Sequence, residues 1–231
     1  MSDETGWRYY SHHFLPIDCK DLRDNGHINT GVYKIYPFCT SSTPVRVYCD
    51  MDTMGGGWTA IQKRIDGSVS FDRMWTDYKN GFGAPEQNVW IGNDVIHQLT
   101  KGKNPYLIVS IILVNGTTLY EMYDQFYVSD EAGKYQLFLA GPATGTLGDS
   151  MLNTGNSFAD LSGMSFSTLD RDNDTCACNC ADHYGGGWWF NNCHEAFLNG
   201  QWSLTVWEYP WYPTVKSGTN VKKTIMMIKR H

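Results

Sequence analysis

Three β-like segments lie close together in the middle of the chain, and a fourth stands alone at the C-terminal end. Residues 106–114 form a continuous apolar run, residues 118–128 alternate between apolar and polar, and residues 135–140 follow a short turn. The last apolar segment, residues 224–230, needs a sheet to join. The positions of these segments predict a sheet that is completed by a strand far away in sequence.

The long segment between these strands carries no periodic pattern. Residues 141–212 are rich in Gly, Asn, Asp, Ser and Trp. A segment of this length is too long for an idle loop in a compact domain, and irregular segments of this kind commonly carry the function. We therefore look for the site here.

The N-terminal half alternates short helices with strands. Residues 18–25 indicate a helix with an acidic first turn, and residues 93–100 a second one. Residues 45–49 and 58–64 indicate strands joined by a glycine-rich turn. Aromatic residues at helical spacing in residues 71–83 indicate another helix. Together these elements predict the α+β class.

Charge and hydropathy exclude several classes of partner. The 231 residues carry 24 acidic against 18 basic side chains and a net charge of −6. This balance argues against nucleic acid and anionic lipid. No apolar run approaches the roughly 20 residues of a membrane helix, so we expect a soluble chain without a membrane span. The opening residues do not resemble a secretory signal, so we expect any such leader to lie upstream.

Seven cysteines leave the cellular compartment open at first. They fit buried thiols in a cytosolic protein or half-cystines in a secreted one, and Cys176, Cys178, Cys180 and Cys193 could also form a zinc cluster. Glycosylation sequons at Asn115 and Asn173 favour the secreted alternative. The odd count leaves at least one cysteine free or bonded elsewhere.

An acidic loop precedes these cysteines. Asp170, Asp172 and Asp174 alternate, so in an extended loop their carboxylates are expected to converge and to repel one another unless a cation lies between them. Calcium suits such hard oxygen ligands, while a solvated acidic turn is the alternative. An EF-hand is excluded, because Thr175 and Ala181 occupy the positions of its glycine and glutamate.

Catalytic motifs are missing from the sequence. The segment GMSFS at residues 163–167 lacks the second glycine of a nucleophile elbow, and HEAF at residues 194–197 lacks the second histidine of a zinc protease. A phosphate-binding loop is likewise missing. We therefore predict that the chain is not an enzyme.

Ordered motifs now identify a family. They are DCKDL at residues 18–22, YCDMDT at 48–53, GGGWTAIQKR at 55–64, FDRMWTDYKNGFG at 71–83, WIGNDVIHQLT at 90–100, FSTLDRDND at 166–174, GGWWFNNCH at 186–194, LNG at 198–200 and TIMMIKR at 224–230. This series resembles the fibrinogen C-terminal domain, which ficolins, tachylectin-5 and angiopoietins share. The match covers residues 14–230.

This resemblance implies one domain with three subdomains. They are an N-terminal part at residues 14–63, a central twisted antiparallel sheet at 64–150 plus 222–230, and an irregular part at 151–221. The irregular part is expected to hold a calcium ion and a ligand pocket.

The resemblance also assigns the calcium ligands and the disulfides. Asp172 and Asp174 match the side-chain ligands of Ca²⁺, and Cys176 and Cys178 match positions that use main-chain carbonyls. The implied disulfides are Cys19–Cys49, Cys180–Cys193 and an angiopoietin-like Cys176–Cys178. Two fates stay open for Cys39, a free thiol or a link between subunits.

A pocket for an acetyl group is implied around the second disulfide. Tyr184 and His194 match its tyrosine and histidine, and the peptide between Asn192 and Cys193 is expected to be cis. Without the resemblance, His194 would be an ordinary hydrogen-bonded histidine. The segment after residue 200 is shorter than in the family, where it supplies another tyrosine to the pocket. The far wall of the pocket is therefore assigned to Trp207 or Tyr209. Trp188 and Trp189 are interpreted as core residues.

Two functions follow from the resemblance. The first is a secreted, calcium-stabilised lectin that binds acetylated glycans such as N-acetylglucosamine in innate immune recognition. The alternative is an angiopoietin-like module that docks a cell-surface receptor. The pair Cys176 and Cys178 supports the receptor module, whereas His194 supports the lectin. A single weak pocket would gain avidity from oligomers formed through upstream segments.

Overall fold

A computed structural model describes residues 15–38, 43–152, 155–157, 160–202, 210–216 and 221–231. The elements in chain order are α1 (Cys19–Asp24), β1 (Gly31–Ile35), β2 (Val45–Asp50), β3 (Trp58–Arg64), α2 (Trp75–Asn80), β4 (Phe82–Gly83), β5 (Val89–Trp90), α3 (Asn93–Thr100), β6 (Tyr106–Leu113), β7 (Thr118–Val128), β8 (Leu137–Gly145), α4 (Cys180–Tyr184) and β9 (Val221–Lys229), with a 3-10 turn at Thr53–Gly55.

One antiparallel sheet organises the described residues. Its strand order is β1-β2-β3-β9-β6-β7-β8, and the short strands β4 and β5 pair beside β3. The C-terminal strand β9 lies between β3 and β6, where Thr224 pairs with both Arg64 and Ile111. The α+β class and the sheet completed by a distant strand are confirmed. The three-part division into subdomains stays a prediction.

The sheet is covered on both faces. The main core packs the helices and the irregular C-terminal part against one face. A smaller cluster of Trp58, Ala60, Ile108, Ile225 and Met227 lies on the other face, beneath partly buried tyrosines. Every residue of β3 is buried for this reason.

The N-terminal helix is held by its cap, a disulfide and the C-terminal strand. The Asp18 carboxylate accepts a hydrogen bond from the N–H of Asp21 at 3.0 Å and caps α1. Cys19 is bonded to Cys49 on β2. Arg230, just after β9, pairs with Asp18 and Asp21. The two ends of the described fold are thereby joined.

Several element boundaries differ from the sequence-based expectations. Strand β1 was not predicted, and it pairs with β2 at the sheet edge. Residues 71–83 form a helix only over Trp75–Asn80. Gly81 ends that helix, because it has a positive φ and lies so close to the main chain of Ile91 that only glycine fits.

Candidate functional site

Asp170 does not join the other two acidic residues of its loop. Its Oδ1 accepts hydrogen bonds from the main-chain N–H of Trp75 at 2.8 Å and from the Thr168 hydroxyl at 2.7 Å. The expectation that three carboxylates converge is therefore wrong for Asp170. The cause is long-range, since the first N–H of α2 has no partner within its own helix.

Asp172 and Asp174 do lie together. The N–H of Asp174 donates to Asp172 Oδ1 at 3.2 Å. Asp174 itself orders the loop, because its two carboxylate oxygens each accept a bond of 2.9 Å, Oδ1 from the N–H of Cys176 and Oδ2 from that of Cys180. Burial raises the pKa of Asp174, and the nearby charge of Asp172 raises it further.

This pair of carboxylates fits a hard cation. Two close carboxylates, one of them partly buried, repel each other when both are ionised, and a divalent ion between them removes that repulsion. Each oxygen that accepts one N–H bond keeps a lone pair for a metal. Carboxylate oxygens are the ligands that calcium prefers.

The loop cysteines are all in disulfides. Cys176 is bonded to Cys178, and Cys180 is bonded to Cys193. Their four sulfur atoms lie within 4.8 Å of one another. Bonded sulfurs offer no thiolates, so the zinc cluster weighed from the sequence has no ligands in this structure. Cys39 lies outside the described residues.

Helix α4 positions Tyr184. The Asn179 side chain caps its start by accepting from the N–H of Asp182 at 3.1 Å, and Gly185 ends it in the left-handed region at φ +69°. Cys180 in the first turn ties the helix to Cys193. The Tyr184 ring is thereby brought against His194, with centroids 4.6 Å apart and planes at 75°.

His194 packs in a cluster of rings. Its ring also contacts Phe197 at 5.0 Å and Phe190 at 5.8 Å between centroids. Both ring nitrogens are buried, and neither has a hydrogen-bond partner among the described residues. Burial lowers the pKa of His194 from 6.5 to about 3. The imidazole is therefore neutral at physiological pH.

The peptide before His194 is cis. This bond joins Asn192 to Cys193, as the resemblance implied. Asn192 is exposed, Cys193 is partly buried, and the Cys193 carbonyl accepts from the N–H of Asn191 at 2.9 Å. Trp207 and Tyr209 lie outside the described residues. The assignment of the acetyl pocket to Tyr184, Asn192, Cys193, His194 and Trp207 stays a prediction.

A cavity of about 400 Å³ lies beside Tyr184. Arg64, Phe71, Asp72, Asp182 and Trp202 also line it. Of the predicted pocket residues that the structure describes, only Tyr184 lines this cavity, whereas Asn192, Cys193 and His194 do not. Its walls combine aromatic rings with the exposed carboxylates of Asp72 and Asp182.

Arg64 forms part of the cavity wall, and the sequence analysis did not find it. Its guanidinium lies 4.3 Å from the Phe71 ring centroid and 5.3 Å from that of Trp202. Nη1 donates to the carbonyls of Leu198 and Gly200. Burial lowers the pKa of Arg64 to about 10, so the side chain stays charged. The available signal was a pair of basic residues, Lys63 and Arg64, at the end of a predicted strand.

Trp188 and Trp189 belong to the main core of the domain. Both are fully buried, which agrees with their interpretation as core residues. The Trp189 indole N–H donates to the Tyr135 carbonyl at 2.8 Å, and its ring contacts Trp90 and Phe166. The irregular segment is thereby fixed to the rest of the domain.

Relatives share most of this chain. Angiopoietin-2 from Rattus norvegicus is 39% identical over 224 residues, which are 92% of this chain and 42% of the relative. Human fibroleukin is 44% identical over 191 residues, which are 82% of this chain and 43% of the relative. The chain thus spans less than half the length of either relative.

Solved structures show the same fold. The fibrinogen-like globe domain of human ANGPTL2 aligns with a TM-score of 0.84 at 34% identity, over 93% of this chain and 99% of that one. Lamprey fibrin D-dimer, complexed with the peptide ligand Gly-His-Arg-Pro-amide, aligns with a TM-score of 0.83 at 32% identity, over 94% and 74%.

A family profile covers nearly the whole chain. The family described as fibrinogen beta and gamma chains, C-terminal globular domain, matches residues 15–231. Those bounds include every helix and strand of the structure. The chain belongs to the fibrinogen C-terminal domain family.

Proposed function

We propose that this chain is a non-catalytic, extracellular recognition domain that binds a protein partner through its irregular end. The observation that carries the proposal is the cavity beside Tyr184, whose walls join Trp202 and Phe71 to the carboxylates of Asp72 and Asp182. Aromatic side chains are enriched at surfaces that bind protein partners, and charged groups beside them select a partner of complementary charge. The described part of the chain contains no helix long and apolar enough to cross a membrane.

The relatives support a protein partner. Angiopoietin-2 and fibroleukin match this chain over most of its length, and the lamprey structure of the same fold holds a peptide ligand. A rigid frame favours such binding, because less conformational entropy is lost when the partner docks. In this chain the frame consists of the sheet, the buried tryptophans and the Cys180–Cys193 disulfide.

Calcium is the cofactor we propose for the acidic loop that precedes α4. The carboxylates of Asp172 and Asp174 and the main-chain carbonyls of Cys176 and Cys178 would hold the ion. When bound, the ion neutralises the two carboxylates and stiffens the loop that leads into α4. The Asp174 bonds to Cys176 and Cys180 orient the loop for this.

Thermal melting with and without a chelator tests the calcium site. We expect the parent to melt at a higher temperature in calcium than in chelator, because an ion that binds only the folded chain stabilises it. Asp172→Ala should remove most of that difference. A parent whose melting temperature ignores both calcium and chelator would show that the loop holds no ion.

Acetylated glycans remain the second candidate ligand. The ring contact between Tyr184 and His194, the two residues that match the acetyl pocket, favours it. N-acetylglucosamine on microbial or host surfaces would then be the ligand, with a role in innate immune recognition. The burial of both His194 ring nitrogens argues against a hydrogen bond from His194 to such a ligand.

Cell-surface binding separates the two candidates. The chain is displayed as a tetramer to supply the avidity that we expect from oligomers, and its binding to intact cells is measured. Loss of binding after mild protease treatment of the cells, without competition by free N-acetylglucosamine, is the result we expect. Retention on acetylated resin with release by N-acetylglucosamine would instead establish the lectin.

A charge-matched pair of variants tests the cavity itself. Asp72→Asn with Asp182→Asn should weaken binding by about tenfold or more, since removing one partner of a charge pair across an interface lowers the affinity. Asp24→Asn with Glu86→Gln is the control that removes the same two charges, because both residues pair with basic side chains and lie outside the cavity lining. Equal binding by all three proteins would exclude the cavity.

A further inference from the structure

Two N-glycosylation sequons occur in the chain, and they differ in their exposure and hydrogen bonds in the folded protein. Asn115, Gly116 and Thr117 form the first, and Asn173, Asp174 and Thr175 form the second. The sequence ranks them equally, because each offers an amide side chain two residues before a threonine. We propose that Asn115 is an N-glycosylation site of the secreted chain and that Asn173 is not.

The first sequon forms the tip of the β6–β7 hairpin. The N–H of Leu113 donates to the Thr117 carbonyl and the N–H of Gly116 to the Leu113 carbonyl, both at 2.9 Å. Residues 114–118 are all exposed. Gly116 has φ +87°, and a Cβ added there would meet no atom within 4 Å. The space around this tip can therefore take a bulky substituent.

The Asn115 side chain is held in a form that leaves its nitrogen available. Its Oδ1 accepts the main-chain N–H of Thr117 at 2.9 Å, which directs Nδ2 away from the turn. Nδ2 is the atom that carries the glycan. The side chain therefore tolerates the modification without losing its own hydrogen bond.

In the second sequon, both the Asn173 amide and the Thr175 hydroxyl form hydrogen bonds within the fold. Asn173 Nδ2 donates to the Phe166 carbonyl at 2.9 Å, and Asn173 is only partly exposed. The Thr175 hydroxyl donates to Asn191 Oδ1 at 2.6 Å, and the Thr175 N–H donates to the Asn191 carbonyl. A glycan on Asn173 would displace the Phe166 contact and open the acidic loop.

The transfer step itself is balanced with a known class of donor. Nδ2 of Asn115 attacks the anomeric carbon of a lipid diphosphate-linked oligosaccharide and forms a C–N bond. The anomeric C–O bond to the diphosphate breaks, the lipid diphosphate leaves, and the amide proton passes to a base of the transferase. No oxidant or reductant takes part.

The position of Asn115 relates this glycan to the proposed recognition face. Ile111, Thr224 and Arg64 lie in one row across β6, β9 and β3. Arg64 lines the cavity, and Asn115 follows the end of β6 at the same end of the sheet. Since β3 and β6 are separated by β9, the glycan would lie about 10 Å sideways from the Arg64 strand. It would lie at the same end of the sheet as Arg64 and outside the residues that line the cavity.

Mass spectrometry of secreted protein tests the assignment, which rests on the extracellular route of the proposed function. The chain is secreted from cultured animal cells behind a host signal peptide and digested with an amidase that converts glycosylated Asn to Asp in ¹⁸O-labelled water. We expect the label at position 115 and unmodified Asn at position 173. Asn115→Gln and Thr117→Ala should each abolish the glycan mass, whereas Thr175→Ala should leave it unchanged.

Unmodified Asn115 in the secreted parent, or label at position 173, would overturn the proposal. Because the host signal peptide supplies the route, such a failure concerns the sequon alone. The recognition function is tested separately by cell binding, so the two failures are distinguishable. Asn115→Gln should melt within about 1 °C of the parent, since changes at exposed turns have small effects on stability. That control shows that loss of glycan mass is not loss of folding.

Discussion

The Asp170 carboxylate accepts a hydrogen bond from the main-chain N–H of Trp75 at 2.8 Å, across 95 positions of sequence. Met74, which precedes α2, makes no side-chain cap. Asp170 therefore caps α2 from outside the helix and ties the start of the acidic loop to it. Its negative charge also lies at the helix end where the macrodipole favours an anion.

Replacement of Asp170 should destabilise the fold without affecting calcium. Asp170→Ala leaves the N–H of Trp75 and the Thr168 hydroxyl without their partner, and we expect a loss of about 1–2 kcal/mol in unfolding free energy. Urea denaturation measures the loss. The calcium-dependent rise in melting temperature should survive in this variant, and its disappearance would show that Asp170 is a ligand after all.

Acidification should destabilise the parent through His194. Burial lowers the pKa of His194 from 6.5 to about 3, so the unfolded chain binds a proton at this residue over that range and the folded chain does not. Stability from His194 is therefore complete above pH 6.5 and falls as the pH drops toward 3, by up to about 1.4 kcal/mol per pH unit. Comparison with His194→Phe between pH 7 and pH 4 measures it. Parallel pH profiles would show that the imidazole is not buried as described.

Gly187 should not tolerate a methyl group. A Cβ at this position would lie 2.6 Å from Tyr78 Cε2 and 2.8 Å from Phe166 Cε1, and both rings are fully buried. Gly187→Ala should cost about 1–3 kcal/mol through overpacking. Gly31→Ala is the matched control, because its Cβ would meet only Tyr33 Cε2 at 3.8 Å. Chemical denaturation of both variants should separate them clearly, and equal stability would contradict the packing.

The two loop disulfides should contribute to different properties. Cys180–Cys193 spans 13 positions, and its removal should lower the unfolding free energy by about 3 kcal/mol. Cys176–Cys178 spans only 2, so its loop constrains the unfolded chain little. Serine replacement of both Cys176 and Cys178 should reduce the rise in melting temperature that calcium produces. It should lower the melting temperature in chelator by less. Melting of both double variants in chelator gives the comparison, and equal losses there would contradict the assignment.

Sequence patterns determined the sheet and the family. The periodicity of residues 106–128 and the isolated apolar strand at the C-terminal end are local properties, because the side-chain alternation of a strand is written in consecutive residues. The order of the motifs led to the family, and the cysteine positions within it led to three disulfides that the structure contains. The short edge strand β1 was not predicted. It has only five residues, three of them partly exposed, so its sequence pattern is weak.

Only the tertiary structure decided which irregular residues meet. Outside α4, residues 160–202 have no repeating backbone geometry that links a side chain's direction to its position, so distant partners set it. The Asp170 carboxylate accepts a hydrogen bond from Trp75 and does not join the other acidic residues of its loop. The rings of Tyr184, Phe190 and Phe197 contact His194. Arg64 reaches the cavity because β3 ends beside it. The sequence supplied the chemical groups of the site, and long-range packing selected those that face the cavity.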